Sequence, residues 1–251
     1  MAIQLETKAT IDDLLEIIRK RRSCRRYLPD SVPEEMIDNI LEAGRWSPSG
    51  CSSEPWEFVV VRDPEILRRH SELYKELRAL SELADTGPDG FPFPDMDYLD
   101  NVTVLIVICG DRRLGRTYPE LYYRSEIFHQ SIGACIENMF LAAAAQGLGG
   151  TWLSMGKKLE PPLAELFGIP DGYRIETVFA VGWPDLKREI RDRRPFEEIV
   201  HRERFDPARA RSADQIADTV RAIRGRRRED RSLSGEISEG SQRLSQERAP
   251  S

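Results

Sequence analysis

No stretch of the 251-residue sequence is apolar for long enough to make a membrane helix. The longest, Val102–Cys109, falls far short of the roughly 20 residues a bilayer demands, and no membrane partner is expected. The opening residues, Met1 to Asp13, show no basic start followed by an apolar run, so no secretory signal is expected. Cysteine is scarce: Cys24, Cys51, Cys109 and Cys135, with no CxxC pair. Cys109 and Cys135 lie in apolar segments, which fits reduced, cytoplasmic usage rather than a disulfide framework. Three histidines with neither HxxxH nor HExxH spacing give no zinc signature, and no metal is expected. GxSxG is absent, which leaves a hydrolase triad without support. An excess of basic charge is missing as well. The net charge of −6 argues against a general nucleic-acid binder.

What is present is enough apolar material for a core, at 40% of residues. Thr10 to Asp13 resembles a capping signal and predicts a helix to about Arg21. Ser31, Pro33 and Glu34 form a second start signal, with Ser31 as cap, for a helix ending near Gly44. A turn-rich loop follows from Ser47 to Pro55, then a strand over Trp56–Val61. Pro64 to about Ala84 reads as helix, and Asp85–Asp97 as a mobile loop or lid. Asn101–Cys109 and Ile175–Val181 read as buried strands, and Pro161–Phe167 as a short helix. Glu120–Gln146 reads as a central buried helix, ended by Gly147–Gly150. A further helix is expected over Ala213–Arg228, before a Ser/Glu/Arg-rich tail expected to be disordered. The division is one α+β domain over 1–205 and an appendage over 206–251.

Chemistry concentrates in a few places. Arg21, Arg22, Ser23, Arg25 and Arg26 directly follow a helix and suit a phosphate or another anion. Spacing alone serves equally well for a solvated basic helix end. A second basic cluster, Lys187, Arg188, Arg191, Arg193 and Arg194, is more simply a charged surface loop. The small residues of Pro48–Trp56 free backbone N–H groups that can wrap a planar polar ligand, although a plain turn is commoner. Gly147–Gly156 is not GxGxxG and follows a helix, so the Rossmann reading fails. It is either a tight helix end or a place where backbone approaches a flat cofactor. His129 and Gln130 read as a satisfied core or interface pair rather than as catalysts.

In order, these segments resemble the FMN-dependent nitroreductase family. The residues that carry the likeness are Arg21-Arg22-Ser23, Arg25 and Tyr27; Val32-Pro33; Pro48-Ser49-Gly50; and Pro55-Trp56 with Phe58-Val59-Val60-Val61. Further on come Ile136-Glu137-Asn138-Met139, Ala142-Ala143, Gly147-Leu148-Gly149, Gly168-Ile169-Pro170, Val181-Gly182-Trp183-Pro184 and Arg193 to Glu198. The likeness spans about residues 11–205. It implies a central, mostly antiparallel sheet flanked by helices, in an intertwined homodimer with FMN at the interface. It implies hydride transfer from NADH or NADPH through flavin N5 to a small planar acceptor: a nitroaromatic, quinone or enone.

By matching positions, Arg21 and Ser23 take the FMN phosphate or ribityl chain, with Arg22 beside them. Arg25 sits at the flavin N1/O2 edge, where a cation stabilises negative charge. Arg193 completes the phosphate site, with Arg191 as helper. Pro48, Ser49, Gly50 and Ser52 line the flavin, and Leu153, Ser154 and Met155 lie by the ring with a backbone N–H toward N5. The family's loop carries Asn and Gln where this chain has Ser52 and Glu54. Glu54 accepts but does not donate hydrogen bonds, which makes it a modulator of the flavin. Glu54-Pro55-Trp56, Tyr98-Leu99-Asp100 and Tyr122-Tyr123 also resemble the iodotyrosine deiodinase branch, with Glu72, Tyr74 and Lys75 as loose candidates for its substrate grip. Reductive dehalogenation or a biosynthetic dehydrogenation is thus an alternative. A non-enzymatic flavin-binding or partner-binding protein is a third, motivated by the Arg-rich tail.

Overall fold

The computed structural model describes residues 9–84, 96–117, 125–185 and 192–222. These fall into two compact units, the first reaching to residue 185 and the second holding 192–222. The first unit contains α1 (Ile11–Lys20), α2 (Glu34–Arg45), β1 (Trp56–Val61), α3 (Pro64–Ala84), β2 (Val104–Asp111), α4 (Leu114–Thr117), α5 (Ser125–Ala145), β3 (Gly149–Ser154), α6 (Glu160–Leu166) and β4 (Tyr173–Gly182). The second contains α7 (Phe196–Ile199) and α8 (213–222).

The strands pair antiparallel throughout, in the order β1-β2-β4-β3. Central β2 explains the architecture. Leu105, Val107 and Cys109 pack into a core with Leu73 and Tyr74 of α3 and Leu163 of α6. Val104, Ile106 and Ile108 pack into a second core with Ile37 and Ile40 of α2 and Ile136 and Met139 of α5. A strand covered on both faces needs apolar residues at every position, so it reads as an unbroken run rather than an alternation. The result is the expected α+β arrangement, a sheet between two helical layers.

Local signals account for the element ends. Thr10 and Asp13 form the reciprocal cap of α1, with Asp13 in the place usually held by Glu. The start of α2 differs from expectation. Pro33 itself occupies the N-cap without a side-chain bond, and the Ser31 carbonyl accepts from Trp183 Nε1 at 3.2 Å. Gly147 turns the chain out of α5 with φ +79°, as a helix-ending glycine does. Gly149 and Gly150, expected to share that task, instead begin strand β3. They are small because of close packing. A Cβ on Gly149 would lie 2.6 Å from Cys24 Cβ, and one on Gly150 would lie 2.4 Å from the Phe179 ring.

Several expected features lie outside the described residues: residues 85–95 of the 85–97 lid, whose last two residues instead are a buried Met96 and the first residue of a 3-10 turn, Asp97; the start of the central helix with Tyr122 and Tyr123; Lys187, Arg188 and Arg191; the end of the helix beyond 222; and the tail. Among the described residues no helix is long and apolar enough to cross a membrane. All four cysteines are free, and only Cys51 is exposed.

One buried group has a measurable consequence. His70 of α3 is 1% exposed, its ring lies 4.8 Å from that of Tyr74, and its Nε2 has no hydrogen-bond partner. Burial drives its pKa from 6.5 down to about 3. The folded state therefore refuses a proton that the unfolded chain accepts below about pH 6.5, and stability falls as pH falls through that window. Between about pH 6.5 and about pH 5 the loss from this group is about 2 kcal/mol. Urea melts of His70→Leu across that range are expected to show a correspondingly flatter pH dependence than the parent. An identical slope in both proteins would refute the assignment.

Candidate functional site

The basic segment leaves α1 at Arg21, whose N–H closes the helix on the Ile17 carbonyl at 2.9 Å. It then runs along the sheet instead of into solvent. Ser23 bridges to Gly150 in parallel, and the Cys24 N–H donates to the Gly150 carbonyl at 2.8 Å. The Leu28 N–H donates to the Trp183 carbonyl at 2.9 Å. Tyr27, 4% exposed, fastens the segment from inside. Its hydroxyl lies 2.8 Å from Thr151 Oγ1, 3.1 Å from the Cys24 carbonyl and 3.3 Å from the Ala180 carbonyl, and the Thr151 hydroxyl donates to the same Cys24 carbonyl. Burial pushes the Tyr27 hydroxyl well above its ordinary pKa, so it remains a neutral donor.

This anchoring holds Arg21, Arg22, Ser23 and Arg25 half-buried beside the start of β3. The Arg21 guanidinium lies over the Phe140 ring at 4.7 Å and pairs through Nε with Glu137 at 3.3 Å. Arg22 donates to the Arg21 carbonyl. Arg25 Nε is buried with no hydrogen-bond partner. A buried cationic donor without an acceptor is costly, and this one lies in the segment that the sequence marks for an anion.

The loop after α2 is held to α5. Asn138 Nδ2 donates to Ser47 Oγ at 2.8 Å, and the Gly50 N–H donates to Ser131 Oγ at 3.0 Å. Inside the loop the Glu54 N–H donates to Ser49 Oγ at 3.0 Å. Cys51, Ser52 and Glu54 adopt left-handed backbone, with φ of 56°, 50° and 42°. Three such non-glycine residues in four positions cost on the order of 1–3 kcal/mol each, and such strain concentrates at ligand-binding loops. Pro48, Ser52 and Glu54 are exposed, and Ser49 and Gly50 are half-buried.

The third piece, Leu153, Ser154 and Met155, follows Gly150 along β3 by roughly 10–15 Å at strand rise. Leu153 is buried and Ser154 exposed. The Leu153 carbonyl accepts from Thr177 Oγ1 at 2.6 Å, and the Ser154 carbonyl accepts from Tyr74 at 3.4 Å. The first unit thus ties two of the expected pieces to one strand, and brings both Arg21 and the loop to α5. Arg193 is exposed in the second unit, and Arg191 lies outside the described residues.

The sequence left some polar contacts unread. Glu137 and Phe140 sit in an apolar helix, and nothing in their spacing marks them as neighbours of Arg21. Glu176 interrupts buried β4 at the irregularity opposite Ile108/Cys109. Its side chain is 8% exposed; Arg112 holds it at 2.6 Å and His129 Nε2 faces it at 3.8 Å. Burial raises its pKa, and Arg112 opposes that shift. A lone acid in an apolar run was the available signal. Glu72, Tyr74 and Lys75 are engaged elsewhere: Glu72 with Arg68 and Arg69, Tyr74 with the Ser154 carbonyl, Lys75 with Asp97 at 3.1 Å and Asp100 at 2.6 Å.

The profile of the Nitroreductase family matches residues 18–183, a span that holds the basic segment, the strained loop and all four strands. This chain belongs to the nitroreductase family. A protein of Archaeoglobus fulgidus with the provisional name NADH dehydrogenase/NAD(P)H nitroreductase is 31% identical over 199 residues, covering 78% of this chain and 100% of the relative. Iodotyrosine deiodinase 1 of Sus scrofa is 30% identical over 203 residues, covering 75% of this chain and 68% of the relative. The solved structure of the NADPH:FMN oxidoreductase of Vibrio harveyi, complexed with NAD+, superposes with a TM-score of 0.65 at 19% identity, covering 90% of this chain and 91% of that one. It shares the nitroreductase fold.

Tyr27→Phe removes one hydroxyl from the bonds that fasten the basic segment. We expect a loss of about 1–3 kcal/mol in urea unfolding, because Thr151 and the Ala180 carbonyl lose a buried partner. An unchanged midpoint would show that the hydroxyl does not fasten the segment.

Proposed function

We propose that this chain is an FMN-dependent oxidoreductase that uses NADH or NADPH to reduce a small planar acceptor such as a nitroaromatic, quinone or enone. The observation that carries the reading is the buried, unpartnered Arg25 Nε in a segment fastened to the sheet on both sides. A charged donor fixed in that way calls for an acceptor from outside the chain. The FMN pyrimidine edge, with its N1 and O2 acceptors, fits it. Ser23 adds a hydroxyl, and the Arg21 guanidinium, stacked on Phe140 and paired with Glu137 at Nε, makes no hydrogen bond through its Nη groups among the described residues. Together they suit a phosphate.

When bound, FMN supplies the two-electron redox chemistry, accepting hydride from the nicotinamide and passing it to the acceptor. The protein's part is orientation and charge. Arg25 would stabilise negative charge at the pyrimidine edge, and the anchored segment keeps that cation from moving away. The strained Ser49–Glu54 loop would line the flavin with its small residues, since the N–H groups of Gly50, Ser52, Ser53 and Glu54 are already bonded within the protein, and the Glu54 carboxylate would act against negative charge on it. The Leu153–Met155 stretch is oriented by two accepted hydrogen bonds at its carbonyls. None of these roles requires an acid or base side chain.

A homodimer is part of the proposal. Ile11, Leu14 and Ile18 of α1 stay exposed, as do Trp46 and Trp152, and a second copy would cover such residues. The deiodinase relative raises dehalogenation as an alternative acceptor chemistry. The ion pairs of Glu72 and Lys75, and the burial of Tyr74, do not favour it.

The test is the visible spectrum of the purified full chain, identification of the released chromophore, and anaerobic addition of NADH and NADPH. The reading expects FMN that bleaches with at least one nucleotide. A chain that takes up no flavin on reconstitution, or whose flavin resists both nucleotides, would overturn it.

A further inference from the structure

Arg21 stands where α1 ends, and α1 buries none of its own residues. Nothing in the packing of that helix fixes the direction of the Arg21 side chain, which has on the order of 2 kcal/mol of rotamer freedom to lose. Two residues of α5, three positions apart, supply the missing constraint. Phe140 lies under the guanidinium at 4.7 Å, and its own ring is fixed by Phe179 at 4.8 Å between centroids. The Glu137 carboxylate forms an ion pair with Nε at 3.3 Å. Residues three apart on a helix lie side by side, so the two form one cradle. The Arg21 side chain is 22% exposed and that of Glu137 is 47% exposed.

We propose that Glu137 is a positioning residue: it occupies Nε of Arg21 so that both Nη groups are presented, already oriented, to the phosphate of the bound flavin. The inference rests on the FMN reading above and gives this side chain a specific task within it. A guanidinium grips a phosphate best as a fork of two donors, and a fork aimed in advance loses less entropy on binding. Phe140 fixes the plane of the fork and Glu137 fixes its rotation within that plane. Glu137 acts through Arg21 and needs no contact with the ligand. Its negative charge is a cost to a nearby phosphate, and the orientation it imposes offsets that cost.

The experiment separates orientation from charge. The full chain, stripped of flavin, is titrated with FMN and with riboflavin, which lacks the phosphate, by flavin fluorescence. The readout is the ratio of the two affinities. Glu137→Gln and Glu137→Ala remove the same charge, but only Gln keeps an acceptor for Nε. We expect the FMN-over-riboflavin ratio of the Ala variant to fall about three- to fivefold below that of the Gln variant, as for the loss of one half-exposed hydrogen-bond acceptor. Riboflavin affinity should be equal in both. Equal ratios in the two variants, with Arg21→Ala alone abolishing the preference for FMN, would overturn the positioning role and leave the FMN reading intact. A ratio that Arg21→Ala does not change would overturn the phosphate assignment itself, and this inference with it.

Discussion

The hydrogen bonds that run from Tyr27 through Thr151 to the Cys24 carbonyl hold the basic segment against the sheet, and the candidate site depends on them. Without them the residues after α1 would form an exposed turn, and four arginines in water would be an ordinary solvated surface. With them, backbone N–H groups at Cys24 and Leu28 are fixed to the carbonyls of Gly150 and Trp183. Arg25 and Arg26 lie between those points, and Arg21 and Arg22 just before them, so their backbone loses freedom while their charge stays. Arg25 even has a donor nitrogen sealed from solvent. Arg62 and Arg112 also carry a buried Nε without a hydrogen-bond partner, so it is the placement of this one in the fastened basic segment that argues for a ligand.

That attachment sets requirements elsewhere. Cys24 can approach the sheet only because Gly149 has no side chain, and Phe179 fills its place in the α5 core only because Gly150 has none. The two glycines therefore serve packing on opposite sides of the same strand. The α5 core in turn places Phe140, Glu137, Asn138 and Ser131 along one helix. Arg21 and the 47–54 loop both attach there. One helix thus carries the supports for both the cation and the strained loop, although the two lie more than twenty residues apart in sequence.

Much of this was legible in the sequence. The boundaries of β1 and α3 follow from their flanking prolines, and buried β2 announces itself through its β-branched run, although the strand covers Val104–Asp111 and Asn101 ends a 3-10 turn before it. The Thr10–Asp13 cap reads directly. β3 was not legible, because a strand written as Gly-Gly-Thr-Trp-Leu-Ser has neither alternation nor β-branched density. Its stability comes from pairing with β4 and from the Tyr27 bonds, which are tertiary. At the site, residue types were readable and pairings were not. Arg21, Ser23 and Arg25 stand out as an anion-binding pattern, but no spacing rule connects Arg21 to Glu137, 116 positions further on. The same holds for Arg112 and Glu176, which meet only because β2 and β4 are neighbours.

We propose the fastened Arg21–Tyr27 segment as the seat of the flavin. A crystal structure of the full chain with FMN tests it most directly. The phosphate is expected on Arg21 and Ser23, and the pyrimidine edge within hydrogen-bond reach of Arg25, whose Nε then has its acceptor. A flavin bound elsewhere, with Arg25 Nε still unpartnered, would contradict it.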